Sequence, residues 1–272
     1  MKKKIQRYLK RLIRGWFERI NVNNRTFVLP GVIPEATYRF SMNEWWMIDL
    51  FSIINITEGT FIDVGANTGQ TLLKLRAVSN ISYVGFEPNF NCVGYLHRLV
   101  SINNLENVTI IPVALSQNSE IKKLFSYSDS WDSSASVITN FRETQTKVEW
   151  YVPSFNFETV NSVLKIKKVS VIKIDVEGAE LEVLQGFEIN ILKNRPLVII
   201  EILPVYDKGN KQRYFRQKEI ENLIKKWDYE IFRIIKSRKK IIRFDSVNEI
   251  GIHSNLEMCD YLLKPKENKI NL

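Results

Sequence analysis

The most constraining feature of this 272-residue chain is the run Thr60-Phe61-Ile62-Asp63-Val64-Gly65-Ala66-Asn67-Thr68-Gly69-Gln70. A short apolar strand ends in a glycine-bearing turn, and the helical Gln70-Thr71-Leu72-Leu73-Lys74-Leu75 follows without a linker. A strand feeding straight into a helix opens a strand–helix–strand unit, and such units build mostly parallel sheets. The alternation then recurs. Strands are predicted at Ile81–Glu87, Asn107–Ala114, Val169–Asp175 and Leu197–Ile202. Helices are predicted through Leu96-Val100, Ala179–Leu184 and Glu219–Lys226. Tyr229–Ile235 and Lys240–Phe244 read as a hairpin across Lys236-Ser237-Arg238-Lys239, with a final strand at Asp260–Leu263. The fold class is α/β, and no internal repeat interrupts it.

Between the third and fourth strands the pattern changes. Ile121–Tyr127 and Val148–Phe155 can pair as antiparallel strands, which places an insertion at about 119–156. They flank a polar stretch, 128–136, containing Trp131. A long polar loop inside a compact domain is usually functional or disordered, and this one is expected over the carboxyl edge of the sheet.

Charge divides the chain unequally. The formal net charge is +9, but residues 1–20 hold eight bases and one acid, so the remaining 252 residues carry only +2. In that first segment Ile5, Leu9, Leu12, Ile13, Trp16, Phe17 and Ile20 recur at helical spacing. The pattern predicts a basic amphipathic helix over 1–20, followed by a helical or loop cap over 21–57 and the main domain over 58–272. The helix suits an anionic membrane surface, packing on its own domain, or a targeting presequence. The nearly neutral body argues against tracking of nucleic-acid phosphates. No stretch approaches the ~18 apolar residues of a membrane span. Two cysteines, Cys92 and Cys259, make no disulfide framework. These features predict a cytoplasmic protein, with peripheral contact at the inner face of a membrane as the role open to residues 1–20.

Three short segments carry the chemistry. In the first turn, Gly65 and Gly69 let backbone approach a ligand where side chains would not. The spacing is G-x-x-x-G with an acid two residues earlier, which disfavours a diphosphate and favours a ligand with a cationic end. The sulfonium and amino groups of S-adenosylmethionine fit. Glu87 lies 22 residues after Gly65 at the next strand end, where an acid can accept two ribose hydroxyls. At the fourth strand end, Asp175, Glu177 and Glu180 place three carboxylates around one turn. Glu180 also suits a first-turn helix acid.

These residues resemble a known family. Asp63 to Gln70, Phe86-Glu87-Pro88, Ala114-Leu115-Ser116 and above all Ile174-Asp175-Val176-Glu177-Gly178-Ala179-Glu180 are similar to the FkbM-type S-adenosylmethionine-dependent methyltransferases, over roughly 58–204. The resemblance implies a class I methyltransferase (Rossmann-like) fold, with a seven-stranded, mostly parallel sheet whose last strand is antiparallel. It implies O-methylation. Asp63, Gly65, Asn67 and Gly69 would hold the methionine part, with Ala66 among the cofactor-binding positions, and Glu87 the ribose. Ala114, Leu115 and Ser116 would lie by the adenine, through backbone because no acid stands there.

An alcohol is barely ionised at neutral pH, so a base must take its proton as the new bond forms. Glu177 is the expected base and Asp175 the orienting, cofactor-side acid, although the roles can be exchanged. The carboxylates leave Mg²⁺ open without favouring it. The expected acceptor is a hydroxyl of a small molecule, sugar, glycan, glycolipid or other lipid-linked saccharide, or secondary metabolite, with Glu201, Pro204, the serine-rich loop and Trp131 lining its pocket. His97 and His253 are read as structural. Two alternatives stand beside this reading. One is a nucleic-acid methyltransferase, which would want Asn/Asp-Pro-Pro-aromatic where this chain has Asp175-Val176-Glu177-Gly178. The other is a non-catalytic, membrane-recruited module that retains the fold.

Overall fold

The computed structural model describes residues 17–31, 44–126, 135–138, 148–207, 209–270 and 272. Its centre is an eight-stranded sheet. In chain order the strands are β3 (Thr60–Val64), β4 (Ser82–Phe86), β5 (Val108–Ile111), β9 (Val169–Ile174), β10 (Leu197–Glu201), β11 (Tyr229–Lys236), β12 (Ile241–Val247) and β13 (Asp260–Pro265). Their spatial order is β12-β11-β13-β10-β9-β3-β4-β5. The pairs from β10 through β5 are parallel, while β13 runs antiparallel between β10 and β11. The expected seven strands and antiparallel last strand are present, and β12 adds an eighth at the edge.

Helices cover both faces because the parallel strands are apolar on both. Phe61, Tyr83, Val171 and Ile199 pack under α1 (Trp46–Ile54), α2 (Gln70–Arg76) and α3 (Phe90–Ile102). Ile62, Val84, Ile172 and Ile200 face α4 (Phe157–Leu164), α5 (Glu180–Gly186), α6 (Glu188–Asn194) and α7 (Lys211–Lys226). Fully burying a large aliphatic or aromatic side chain contributes about 1.5–3 kcal/mol, so these two layers hold the sheet rigid under whatever sits at its edge.

The insertion forms its own sheet. β7 (Glu120–Ser126) pairs antiparallel with β8 (Val148–Phe155), as the sequence predicts, and β8 also takes β6 (Ala114–Leu115) in parallel. Trp131 and residues 128–134 of the polar stretch lie outside the described residues.

The N-terminal expectation needs correction. Residues 1–16 lie outside the described residues, but 17–20 are not helical. β1 (Phe17–Val22) and β2 (Arg25–Pro30) form a hairpin around Asn23 and Asn24, both at positive φ (46° and 64°). Two residues at positive φ make the tight turn whose twist matches flanking strands. Val22, Phe27 and Leu29 then enter the core, and Asn103 at the end of α3 clamps Val28 by hydrogen bonds in both directions (2.7 and 2.8 Å). At Phe17–Ile20 the helical stripe gives way to this packing, and the segment expected as a helical or loop cap begins with a strand. Among the described residues, no helix is long and apolar enough to cross a membrane.

Candidate active site

The chain reverses direction in the sheet order at β3, whose neighbours β4 and β9 are reached by crossovers on opposite faces. That switch point is where open α/β sheets bind ligands, at the carboxyl ends of the strands. A cleft open at its mouth lies there.

The turn after β3 forms its floor. Gly65 has φ 87°, and a Cβ there would stand 1.9 Å from the Asp175 carbonyl oxygen, so no other residue fits without moving a strand end. The amides of Gly65 and Ala66 both donate to Phe86 O at 3.0 Å, and Asp175 N donates to Val64 O at 3.0 Å. The three strand ends are thereby stitched together. Asn67 (φ 48°) occupies the left-handed region, which Asn tolerates better than most residues, and its Oδ1 accepts from Thr68 N at 2.8 Å.

Glu87 lies beyond β4, buried but facing the cleft. Its Oε2 accepts from Asn67 N and its Oε1 from Asn89 N, each at 2.8 Å. Burial outweighs these donors and pushes the carboxyl up to about 7. Each oxygen keeps a further lone pair.

Beyond β9 come Asp175 and Glu177, with Glu177 at φ 52°. A non-glycine residue held in this region costs about 1–3 kcal/mol, and such strain gathers at functional turns. Burial pushes Asp175 up, but the Lys173 ammonium, 3.0 Å from its Oδ2, reverses the effect and holds it below the ordinary carboxylate range. Glu201, at the end of β10, shares a side-chain hydrogen bond with Asp175. Burial first, then the charges of Asp175 and Glu177, push Glu201 well up, so Glu201 keeps the proton of this pair. The turn itself is tied from behind. Glu180 Oε1 accepts from Gly178 N at 2.8 Å, and Arg216 on α7 donates to Gly178 O at 2.7 Å while gripping Glu182 with both arms. Glu180 thus plays the helix-start role, and its burial pushes it up to about 7.

The structure brings Gly65, Asn67, Glu87, Ala114, Leu115, Asp175 and Glu177 to one cleft. It does not bring Asp63, Ala66, Gly69 or Ser116 to its wall. Asp63 is fully buried beneath the turn, accepting from Tyr83 Oη at 2.7 Å with Lys173 at 3.7 Å. Gly69 starts α2 at φ 88°, where a Cβ would strike Leu99 at 2.6 Å. The Ser116 carbonyl instead abuts Gly186, whose added Cβ would stand 2.2 Å away. Pro204 is buried off the cleft, His97 is exposed on α3, and His253 is held by its amide to Val205 O.

Sequence reasoning missed the apolar wall of Val113, Leu124 and Val137 and, beneath the site, Lys173. A signal existed for the lysine: Val169-Ser170-Val171-Ile172-Lys173-Ile174 reads as a buried strand, and a buried lysine requires a partner. The stretch after β7 does reach the cleft, through Ala135 and Val137, and Ser136 bridges to Phe125. Among the described residues no group of three or more His, Cys, Asp or Glu side chains is disposed to hold a metal ion.

The strand order and the switch-point cleft define a class I methyltransferase fold. The sequence matches the methyltransferase FkbM domain over residues 63–231, more than half of its length, and the chain belongs to that family. Among solved structures it is similar to methyltransferase FkbM from Methylobacillus flagellatus (16% identity, TM-score 0.49), covering 86% of this chain and 51% of that one. It is also similar to a proposed O-methyltransferase from Klebsiella pneumoniae (10% identity, TM-score 0.48, 96% of each chain). A third likeness is SMU.1697c from Streptococcus mutans, in complex with SAH (9% identity, TM-score 0.42, 80% of this chain and 93% of that one). These are distant likenesses, and the chain spans only about half the length of the Methylobacillus protein. No curated protein matches.

Proposed function

We propose that this chain is an S-adenosylmethionine-dependent O-methyltransferase whose acceptor is a hydroxyl on a sugar, glycan, lipid-linked saccharide or secondary metabolite. One observation carries the reading: Glu87 and the Asp175–Glu177 turn flank the bare backbone of Gly65 in a single cleft. The residues present fit the cofactor. Gly65 offers close approach, Glu87 offers lone pairs to a ribose diol, and Val113, Leu115, Leu124 and Val137 offer an apolar wall to a purine. Bound there, S-adenosylmethionine supplies an electrophilic methyl group.

The chain's own residues then have defined tasks. The acceptor hydroxyl must be held in line with the methyl group, and most of the rate comes from that positioning. Asp175, kept ionised by Lys173, is a weak base and suits orientation of the acceptor or of a cationic cofactor end. Glu177 is left to take the hydroxyl proton on its carboxylate. The apolar wall excludes water from the same space.

Titration calorimetry with S-adenosylmethionine and S-adenosylhomocysteine tests the cofactor assignment, with Glu87→Ala as control. Micromolar binding lost in the variant supports it, and no heat from folded protein refutes it. A screen of saccharide and lipid-linked hydroxyl acceptors with radiolabelled methyl donor tests the reaction. Glu177→Gln should lower turnover by about 10²–10⁴-fold while leaving S-adenosylhomocysteine affinity unchanged.

A further inference from the structure

A chain of buried polar groups crosses three strands directly beneath the cleft, and the proposed chemistry has so far used only its last two members, Lys173 and Asp175. Asp63 and Lys173 are register partners on β3 and β9, and Gly85 is the register partner of Asp63 on β4. Because Gly85 has no side chain, the Tyr83 ring lies across it. A Cβ at Gly85 would stand 3.1 Å from Tyr83 Oη. The hydroxyl reaches over that gap and donates to Asp63 Oδ2 at 2.7 Å. Asp63 Oδ1, which has no hydrogen-bond partner of its own, faces the Lys173 ammonium at 3.7 Å. The ammonium in turn donates to Asp175 Oδ2 at 3.0 Å. Tyr83, Asp63 and Lys173 are all buried, whereas the Asp175 side chain is 31% exposed at the cleft.

This arrangement is expensive to assemble. A buried ammonium needs both partners, and a buried carboxylate left with one oxygen unbonded loses part of its solvation without full replacement. Packing alone does not require it, since apolar residues of similar volume would fill the same positions. What it provides is a fixed positive charge under one carboxylate of the cleft. We propose that Lys173 is a positioning residue, anchored by Tyr83 and Asp63, that holds the Asp175 carboxylate ionised and in one orientation at the reaction centre. The assignment deepens the methyltransferase reading and rests on it for its purpose, though not for its test.

Other charges face the same pair and set the background. Glu44, preceding α1, and Lys74 on α2 approach from the helical layer, paired with each other at 3.4 Å. Glu201 approaches from β10, Glu177 from the turn and Glu87 from β4, and Lys236 on β11 acts on Glu201. With Lys173 removed, Asp175 would face mainly carboxylates, Lys74 being committed to Glu44. Its proton and that of Glu201 would then be shared differently.

Carboxyl-carbon NMR of aspartate-labelled full-length protein tests this without any acceptor. The Asp175 signal is assigned by its loss in Asp175→Asn. In Lys173→Met its titration midpoint should rise by about one to three pH units. If Lys173→Met does not fold, Asp63→Asn/Lys173→Met removes the opposed charge as well and should still give a rise, smaller because the repulsion of Asp175 by Asp63 is also gone. An unchanged midpoint in the folded variant overturns the proposal whatever the enzyme does. Calorimetry of the wild type with S-adenosylhomocysteine separates failure of the functional reading from failure of this one. Once an acceptor is known, the acid limb of kcat/KM should move to higher pH in Lys173→Met, with activity recovering at alkaline pH. A pH-independent loss would mark Lys173 as merely structural and refute the assignment.

Discussion

The same substitution at two glycines should have opposite effects, and the difference measures how the cleft floor is built. Gly65→Ala places a methyl group 1.9 Å from the Asp175 carbonyl oxygen, at φ 87°. Holding an L-residue in the left-handed region costs about 1–2 kcal/mol. Relieving the clash requires β3 and β9 to part at the point where Asp175 N bonds Val64 O, and overpacking of that kind costs about 1–3 kcal/mol. The expected total is about 2–5 kcal/mol, a large share of the roughly 5–15 kcal/mol that holds an average domain together. Gly94 sits exposed in α3 with nothing within 4 Å of an added Cβ. Gly94→Ala should therefore stabilise the protein by about 1 kcal/mol, through helix propensity alone. Equilibrium urea unfolding of both variants reads the two signs directly. S-adenosylhomocysteine affinity should collapse in Gly65→Ala and stay unchanged in Gly94→Ala. If Gly65→Ala cost less than about 1 kcal/mol, or if both variants shifted alike, the close approach of the strand ends would be refuted.

Glu87, pushed up to about 7, makes two pH predictions. Its folded-state value lies above its unfolded one, so the stability it contributes is fully present below about pH 4.5 and is lost as pH rises through about 7. The pH dependence of stability across that window should weaken in Glu87→Gln, with Glu180, also pushed up to about 7, supplying the part that remains. Because the ionised form is the better acceptor for ribose hydroxyls, S-adenosylhomocysteine binding should tighten from pH 6 to 8 in the wild type but not in Glu87→Gln, and should release protons detectable by calorimetry in buffers of different ionisation enthalpy. Arg216→Met unties α7 from Gly178 O and Glu182 and should cost about 1–3 kcal/mol in thermal unfolding, with little change if the grip is incidental.

What could be read from the sequence depended on whether a position's neighbours alternate. The strands around the switch point are short apolar runs bounded by turns, so β3, β4, β9 and β10 were legible within a residue or two. Their terminal acids fell at the carboxyl edge as a result. Continuous apolar runs, however, give no sign of which face a polar residue takes. Asp63, two residues before Gly65, reads as a ligand contact through the family resemblance. In the sheet it shares the face of Phe61 and points beneath that turn, while Val64 points the other way. The face taken by Lys173 is hidden for the same reason, although its place in an apolar strand signals burial. At the N-terminus, Phe17 and Ile20 satisfy a helical stripe and a strand equally well, and the deciding signal was the Asn23-Asn24 pair, not the apolar spacing.

The place of β13 has a consequence for how the protein is made. β10 and β11 do not pair with one another; β13, synthesised after both, fits between them and pairs with each along its length. Until it leaves the ribosome, at the usual ~5–20 residues per second, the sheet holds two unsatisfied edges. One of them is the apolar Leu197–Glu201 strand, a template for pairing with a neighbouring nascent chain. The half of the molecule that forms the cleft can assemble early, but its exposure to aggregation ends only when the intervening strand arrives.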